Sequence, residues 1–595
     1  MGARTSIARA ALALAIAGGL GGTGRAAVSQ PPDALATPPG AQAKTRPSAA
    51  PKTVVDLQPF RSAQSLDVEG KGGRSGRATL VNLNPTVNAW YVLTLTWADG
   101  SQRSYHLENA RPAAQDLVLD PAYRAGLVVR SNRDPEPCDL WLSDALAKAA
   151  GQPTPYAPLC AGRVYLRNPV PGRRTELEAT VEFLRDNVWA GETIIGLAKD
   201  TLFKDAELER ARLTPGPLRD ADASGGPRPA AVDPAPAGRA VQSGSLGIRV
   251  DARVPGQMGM GRWYRAVDRD HVYVSLIEPE AVAPQILESH RSRVSPLDPV
   301  ERSALVYLVA FDLGAFDLAY VVGSDHPRVD WSPRPPASVR PAGLPGPDGI
   351  GTVRPLVTTG MVTPRNAGRT VATFAGGFKR AHGAFKYGDL AARNAGTHYG
   401  FVEEGVVLSK LQPGLATLYV SADGSVHMKT WKEGDEGQLP RVRYARQNGV
   451  ALVEPDAATG APVPGPLVNR WGPGNWSGSA EGDLRSARAG GCIQEGPGGR
   501  FLVYGYFSSA TPSAMARVFQ AYGCEYAMLL DMNALVHTYM ALYPERGPAG
   551  GIQHLVRGMA EADPVSGGRA VPRFLGLPDD RDFFYLLTRE QERTP

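Results

Sequence analysis

The chain has 595 residues, with 67 Gly and 52 Pro, about a fifth of the total against roughly an eighth in average usage. Hydrophobic residues at 43% and charged residues at 21% are close to globular norms, which excludes wholesale disorder and coiled coil. The net charge of +5 is too small to imply nucleic acid, and no apolar run reaches the ~18–20 residues of a membrane span.

The N-terminus reads as an export signal. Arg4 and Arg9 give it a positive start, Ala10 to Leu20 is apolar, and Gly24-Arg25-Ala26 fits a cleavage site, so residues 1–27 are expected to be a signal peptide. Residues 28–53 are rich in Pro and Ala, a composition expected to stay disordered. Residues 54–167 are expected to form a β-rich domain. Trp90 to Trp97 is β-branched and aromatic, ends at Asp99-Gly100, and leads into Ser101 to His106, a strand, tight turn and returning strand. In residues 168–214, Thr175-Glu176-Leu177-Glu178 is a capping box, and Leu177, Val181, Leu184 and Val188 recur at helical spacing. Residues 215–240 read as a disordered linker, and 241–592 as the largest domain.

There are four cysteines, Cys138, Cys160, Cys492 and Cys524. In an oxidising compartment an even number favours disulfides, with three connectivities possible. Cys138–Cys160 and Cys492–Cys524 are preferred because each pair lies within one expected domain; the alternative is four buried thiols. The spacings match no zinc pattern, nothing in the chain has metal-ligand spacing, and the sequence leaves any cofactor unknown. No Gly-x-Ser-x-Gly elbow, Walker loop, dinucleotide fingerprint or His-Glu-x-x-His stands in the chain, which excludes those enzyme classes at motif level.

In the largest domain, Leu305 to Phe311 is expected as a buried strand with Phe316 to Val322 as its hairpin partner. Thr417–Val420 and Val426–Trp431 flank Asp423-Gly424 as a second hairpin. Near the end, Phe501 to Phe507 reads as a strand. Thr511 can cap a helix that has Pro512 at its first position and an apolar stripe of Met515, Val518, Phe519 and Tyr522. Gly523 would end that helix, and Tyr526 to Leu530 is a second buried strand ending on Asp531. Strands joined by such a crossover run parallel, and ligands bind beyond the carboxyl ends of strands in open α/β sheets.

Three motifs, in order, resemble the phosphodiester glycosidase family over about residues 300–590. They are Phe374-Ala375-Gly376-Gly377-Phe378 with Gly383 and Tyr387-Gly388 downstream, Arg485-Ser486-Ala487 before Gly490, and the stretch from Thr511 to Asp531. The resemblance implies a mixed α/β domain at 241–592, and so an α+β protein overall. It also implies removal of a sugar such as N-acetylglucosamine from a phosphodiester. The chain departs from the family after its acid, where Met532-Asn533-Ala534-Leu535 stands in place of the family's Gly-Gly-Gly-Ser.

Catalytic candidates are Asp531, His382 and Glu403. Asp531 ends a strand, an imidazole titrates near neutral pH, and glycosidases commonly use two carboxylates. The alternative for Glu403-Glu404-Gly405 is a hairpin turn. Substrate-binding candidates begin with Arg485, whose fork suits a phosphate, with Ser486 beside it. Gly376 and Gly377 could present N–H groups to an anion, and Trp471 and Trp476 could stack on sugar rings. The expectation is a secreted or periplasmic hydrolase acting on a sugar-phosphodiester or envelope glycan. The rivals are an inactive glycan-binding protein of the same fold and a structural envelope protein.

Overall fold

The computed structural model describes residues 51–589 except 133, 177, 180–204, 218–224, 238, 255, 327–328, 333–334, 344, 347, 355, 380–398, 471–483 and 546–550. The expected signal peptide, most of the leader, the helix beyond Ala179, His382, Trp471 and Trp476 lie outside these residues.

The Trp90–Trp97 strand is rich in aromatic and β-branched residues and is paired on both sides. It is central in a sheet ordered Ser62–Gly70, Arg74–Asn82, Trp90–Trp97, Gln102–Asn109, Val164–Arg167, Tyr156–Leu159. The expected hairpin with Gln102–Asn109 forms and turns at Gly100, whose φ is 81°. A three-stranded sheet of Gln115–Asp120, Tyr123–Ser131 and Glu136–Asp139 packs on it around Leu80, Leu93, Leu127 and Leu166. The Cys138–Cys160 disulfide ties that small sheet to the turn before Val164–Arg167.

The largest sheet has eight strands, in the order Tyr264–Arg265, Val272–Ile277, Val306–Asp312, Gly499–Ala510, Ser486–Gly496, Cys524–Met532, Ala451–Pro455, Pro462–Pro464. All its pairings are antiparallel. Against it lie a five-stranded sheet, ordered Phe316–Val321, Phe583–Thr588, Thr370–Ala375, Met540–Leu542, Gln553–His554, and a second five-stranded sheet that includes the expected Ala416–Ser421/Val426–Thr430 hairpin. At the two ends of the stretch expected as linker, Arg212–Pro217 and Arg239–Gln242 pair with one another, and Arg239–Gln242 also pairs with Gln257–Gly259.

The described residues are therefore a β-rich, antiparallel fold, and the expected α+β protein with a mixed α/β domain is corrected. The Pro512–Ala521 helix forms where Thr511 and Pro512 start it, with the Thr511 hydroxyl accepting from Ala514 N–H. The strands on either side of it do run parallel to one another. Between them, however, lies Ser486–Gly496, antiparallel to both, so the two do not pair with one another. The sequence motif around Arg485 concealed this strand because its glycines read as a loop. Gly490 instead lets the helix approach: a Cβ there would lie 2.8 Å from Phe519 and 2.9 Å from Met515.

A second correction concerns Phe316–Val321, which pairs with Phe583–Thr588 rather than with Val306–Asp312. The turn between them holds, with Ala315 N–H donating to Asp312 O at 3.1 Å, but it carries the chain from one sheet to the other.

The Cys492–Cys524 disulfide staples Ser486–Gly496 to Cys524–Met532, as the pairing within one domain led one to expect. Replacing both cysteines with alanine is expected to lower stability by about 2–4 kcal/mol, read as an earlier denaturant midpoint for this body.

Candidate functional site

Cys524–Met532 is buried almost throughout because its residues are apolar, and that burial carries Asp531 into the interior with it. Asp531 is 4% exposed. Its Oδ1 accepts the Met532 N–H at 2.8 Å, and its Oδ2 accepts from Arg581 Nη1. Burial pushes the Asp531 carboxyl up to about 6; Arg581 and the Met532 N–H oppose the shift, and Asp582 and Glu178 add to it.

Arg581 belongs to Asp579-Asp580-Arg581-Asp582, directly before the Phe583–Thr588 strand. Every member of this run is buried and paired, as charges in an interior must be. Asp579 takes Arg573 bidentately, at 2.7 and 3.1 Å. Asp580 accepts from Lys379 Nζ at 2.6 Å and lies 2.9 Å from Arg174 Nε. Burial raises the Asp580 carboxyl to about 6 despite Lys379. Asp582 takes Arg446 Nε at 2.7 Å and the Tyr320 hydroxyl at 3.0 Å. Burial alone would raise its carboxyl, but Arg446 and His326 hold it well below the usual range.

Arg581 also donates through Nε to Glu178, which has His537 Nε2 at 3.8 Å and Arg573 Nη2 at 3.9 Å. Arg581 and then Arg573 overcome burial and hold Glu178 well below the ordinary carboxylate value. Burial and then Arg581 push His537 down to about 3, so its ring is neutral at physiological pH. The arrangement places a raised acid, Asp531, and a lowered one, Glu178, on the two sides of one guanidinium. Separation of this kind is how two carboxyl groups take different acid–base roles.

Gly376 and Gly377 lie against the same run. Gly376 N–H donates to Asp582 O at 2.9 Å, and a Cβ at Gly376 would collide with Asp582 Oδ2. Gly377 has a φ of 154°, with Arg446 and Asn448 at 3.0 Å from its would-be Cβ. The fold thus gathers Asp531 and the glycine pair around Asp582 and Arg581. Ser486 is buried at the start of the neighbouring strand, where Asn533 N–H donates to Ala487 O at 2.7 Å. Beside it, Arg485 forks onto Asp205 at 3.1 and 2.8 Å and reaches Asp298 at 2.6 Å.

Glu403 lies elsewhere, where the N-terminal sheet docks. It accepts from Arg167 Nη2 and from Val322 N–H at 2.8 Å. Arg167 is 2% exposed, stacks over Trp90 with 3.7 Å to the ring centroid, and has Glu108 at 3.7 Å. The next two residues form a hairpin turn, with φ 47° at Glu404 and 79° at Gly405, as a primed two-residue turn requires. Arg365, Arg443 and the Tyr444 hydroxyl surround Glu404; Arg443 and Arg365 outweigh burial and hold its carboxyl at about 2.

Sequence reasoning missed Glu178 as more than a cap, and Lys379, Arg573 and the 579–582 run altogether. The usable signal was four consecutive charged residues directly ahead of an apolar strand. Glu178 does perform its predicted capping role, since Thr175 N–H and hydroxyl both donate to its Oε2 at 3.0 Å.

No protein-family model and no curated protein matches the chain. Among solved structures, one similar chain is the catalytic domain of zebrafish N-acetylglucosamine-1-phosphodiester alpha-N-acetylglucosaminidase, auto-inhibited by its pro-peptide. It is 12% identical, with a TM-score of 0.28, over 55% of this chain and 85% of that one. A hypothetical protein from Synechocystis is 11% identical, with a TM-score of 0.22, over 88% of this chain and 99% of that one. A putative exported protein from Burkholderia pseudomallei is 11% identical, with a TM-score of 0.20, over 91% of this chain and 100% of that one. These are weak, distant likenesses, and at such scores none carries an argument about fold or function.

Glu403→Ala would strand the Arg167 guanidinium in the interface. It is expected to cost about 3–5 kcal/mol, measured by denaturant unfolding, with faster proteolysis of the N-terminal sheet as a second readout.

Proposed function

We propose that the chain is an exported glycosidase-like hydrolase acting on a sugar-phosphodiester or envelope glycan, with Asp531 at its centre. The observation that carries this reading is the Asp531 carboxyl: buried at the end of an apolar strand, raised to about 6, and facing a guanidinium that also holds a lowered acid. A carboxyl group in that state can protonate the oxygen of a departing group. Arg581 stands beside it, shared with Glu178. Arg485, the phosphate-binding candidate, is committed to Asp205 and Asp298. Gly376 and Gly377 keep the backbone close to the centre. Two disulfides are compatible with export, and among the described residues no helix is long and apolar enough to cross a membrane.

A second reading, a glycan-binding protein without hydrolysis, is favoured by Met532. Its side chain is fully buried, with Arg488 Nη1 at 3.2 Å from its sulfur, where the family resemblance would put glycine. Asn533 takes a positive φ of 84°, a conformation that glycine adopts without strain.

Hydrolysis of an N-acetylglucosamine-1-phosphodiester separates the two readings. Asp531→Asn is expected to lower kcat/KM by about 10²–10⁴-fold; binding with no turnover by the native chain decides for the second reading. The sign of the pH dependence follows from the role. An acid must carry its proton, so kcat/KM is expected to be full below about pH 6 and to fall about tenfold per unit above it. A profile that rises through pH 6 would contradict the acid role.

A further inference from the structure

The segment that follows the N-terminal sheet runs directly along the 579–582 run. Arg173 N–H donates to Pro578 O at 2.9 Å, and Asp580 N–H donates to Arg173 O at 3.1 Å. A side chain at Gly172 would collide with the Asp579 and Asp580 backbone, so the contact needs glycine there. From this segment Arg174 reaches Asp580 and Glu178 reaches Arg581. Glu178 is 3% exposed and is held from behind by Thr175. The segment's starting point is fixed as well, because Arg167 is bound to Glu403 and the Tyr156 hydroxyl lies 2.7 Å from Thr359 Oγ1.

We propose that residues 172–176 and Glu178 complete the Asp531 centre, with Glu178 a positioning residue that holds the Arg581 guanidinium and, through it, Asp531. The N-terminal sheet is then the anchor of this segment and part of the working unit. The catalytic meaning of the inference rests on the function proposed above; the geometry does not.

Arg581 is one cation shared by two carboxylates. If Glu178 loses its charge, Arg581 is left to Asp531 alone, and a neighbouring negative charge disappears at the same time. Both changes favour ionised Asp531. The groups facing Asp531 are Arg581 and Asp582 from the run before the last strand, Glu178 from the segment, and Tyr504 from the Gly499–Ala510 strand. Arg573, Lys379 and His537 stand around Glu178. Only Glu178 among these comes from the N-terminal side of the chain.

The test is a carboxyl carbon-13 NMR titration of the full chain labelled at aspartate, with the Asp531 signal assigned by its absence in Asp531→Asn. In folded Glu178→Gln the Asp531 midpoint is expected to fall by about one pH unit, while Glu178→Asp keeps it near the native value. An unmoved midpoint in folded Glu178→Gln overturns the proposal. Should that variant not fold, Thr175→Val carries the test, because it removes one of the two Thr175 hydrogen bonds that hold Glu178 without removing its charge. A smaller shift in the same direction is expected, and an unmoved midpoint again overturns the proposal. The titration needs no substrate, so failure of the hydrolase reading, seen as no turnover by the native chain, is distinguishable from failure of this one.

Discussion

One buried guanidinium, Arg581, sets the arrangement around it. A charge taken out of water is costly unless it is paired and hydrogen-bonded, and Arg581 meets that condition only by drawing two carboxylates to itself. Asp531 arrives on an apolar strand of the eight-stranded sheet, and Glu178 arrives from the other side of the chain. Each depends on the other. Without Glu178, Arg581 would turn wholly to Asp531; without Arg581, two acids would face each other in the interior. The neighbouring pairs of Asp579 with Arg573, Asp580 with Lys379 and Arg174, and Asp582 with Arg446 repeat the same solution. The four-residue run is thus a row of charges made tolerable by one opposite charge or more apiece.

The same physics joins the N-terminal sheet to the rest. Arg167 sits against the Trp90 ring and beside Glu403, and Arg365 donates to Asn109 O at 2.8 Å. Pairs of this kind specify geometry more than they add stability, because desolvation consumes most of the attraction. Their consequence here is positional. Arg167 closes the last strand of the N-terminal sheet, and the chain that leaves it reaches Asp580 and Arg581 within a few residues.

Much of the local structure was legible. The Trp90–Trp97 strand, the Ala416–Ser421 hairpin and the Pro512–Ala521 helix all announce themselves through residues whose preferences act over a few positions. The disulfide partners were legible too, since proximity in sequence within a domain limits the choice. What misled was the strand–helix–strand pattern. Its two strands run in the expected direction, but a glycine-containing strand, Ser486–Gly496, enters between them from earlier in the chain. The Val306–Asp312 and Phe316–Val321 strands erred for a related reason: a good turn joins them, yet each finds a better-matched neighbour in a different sheet.

By itself the sequence determined several of the strands, where the Pro512–Ala521 helix would start and stop, a preferred pairing of the cysteines, and that Asp531 would lie at the end of a buried strand. Those outcomes depend on side-chain preference and burial along a few consecutive residues. Only the tertiary structure decided that the sheets are antiparallel, that Arg485 is spent on Asp205 and Asp298, that Glu403 belongs to an interface, and that Glu178 and Arg581 meet beside Asp531. Those are pairings between residues hundreds of positions apart, and which charges share an interior depends on how whole sheets stack.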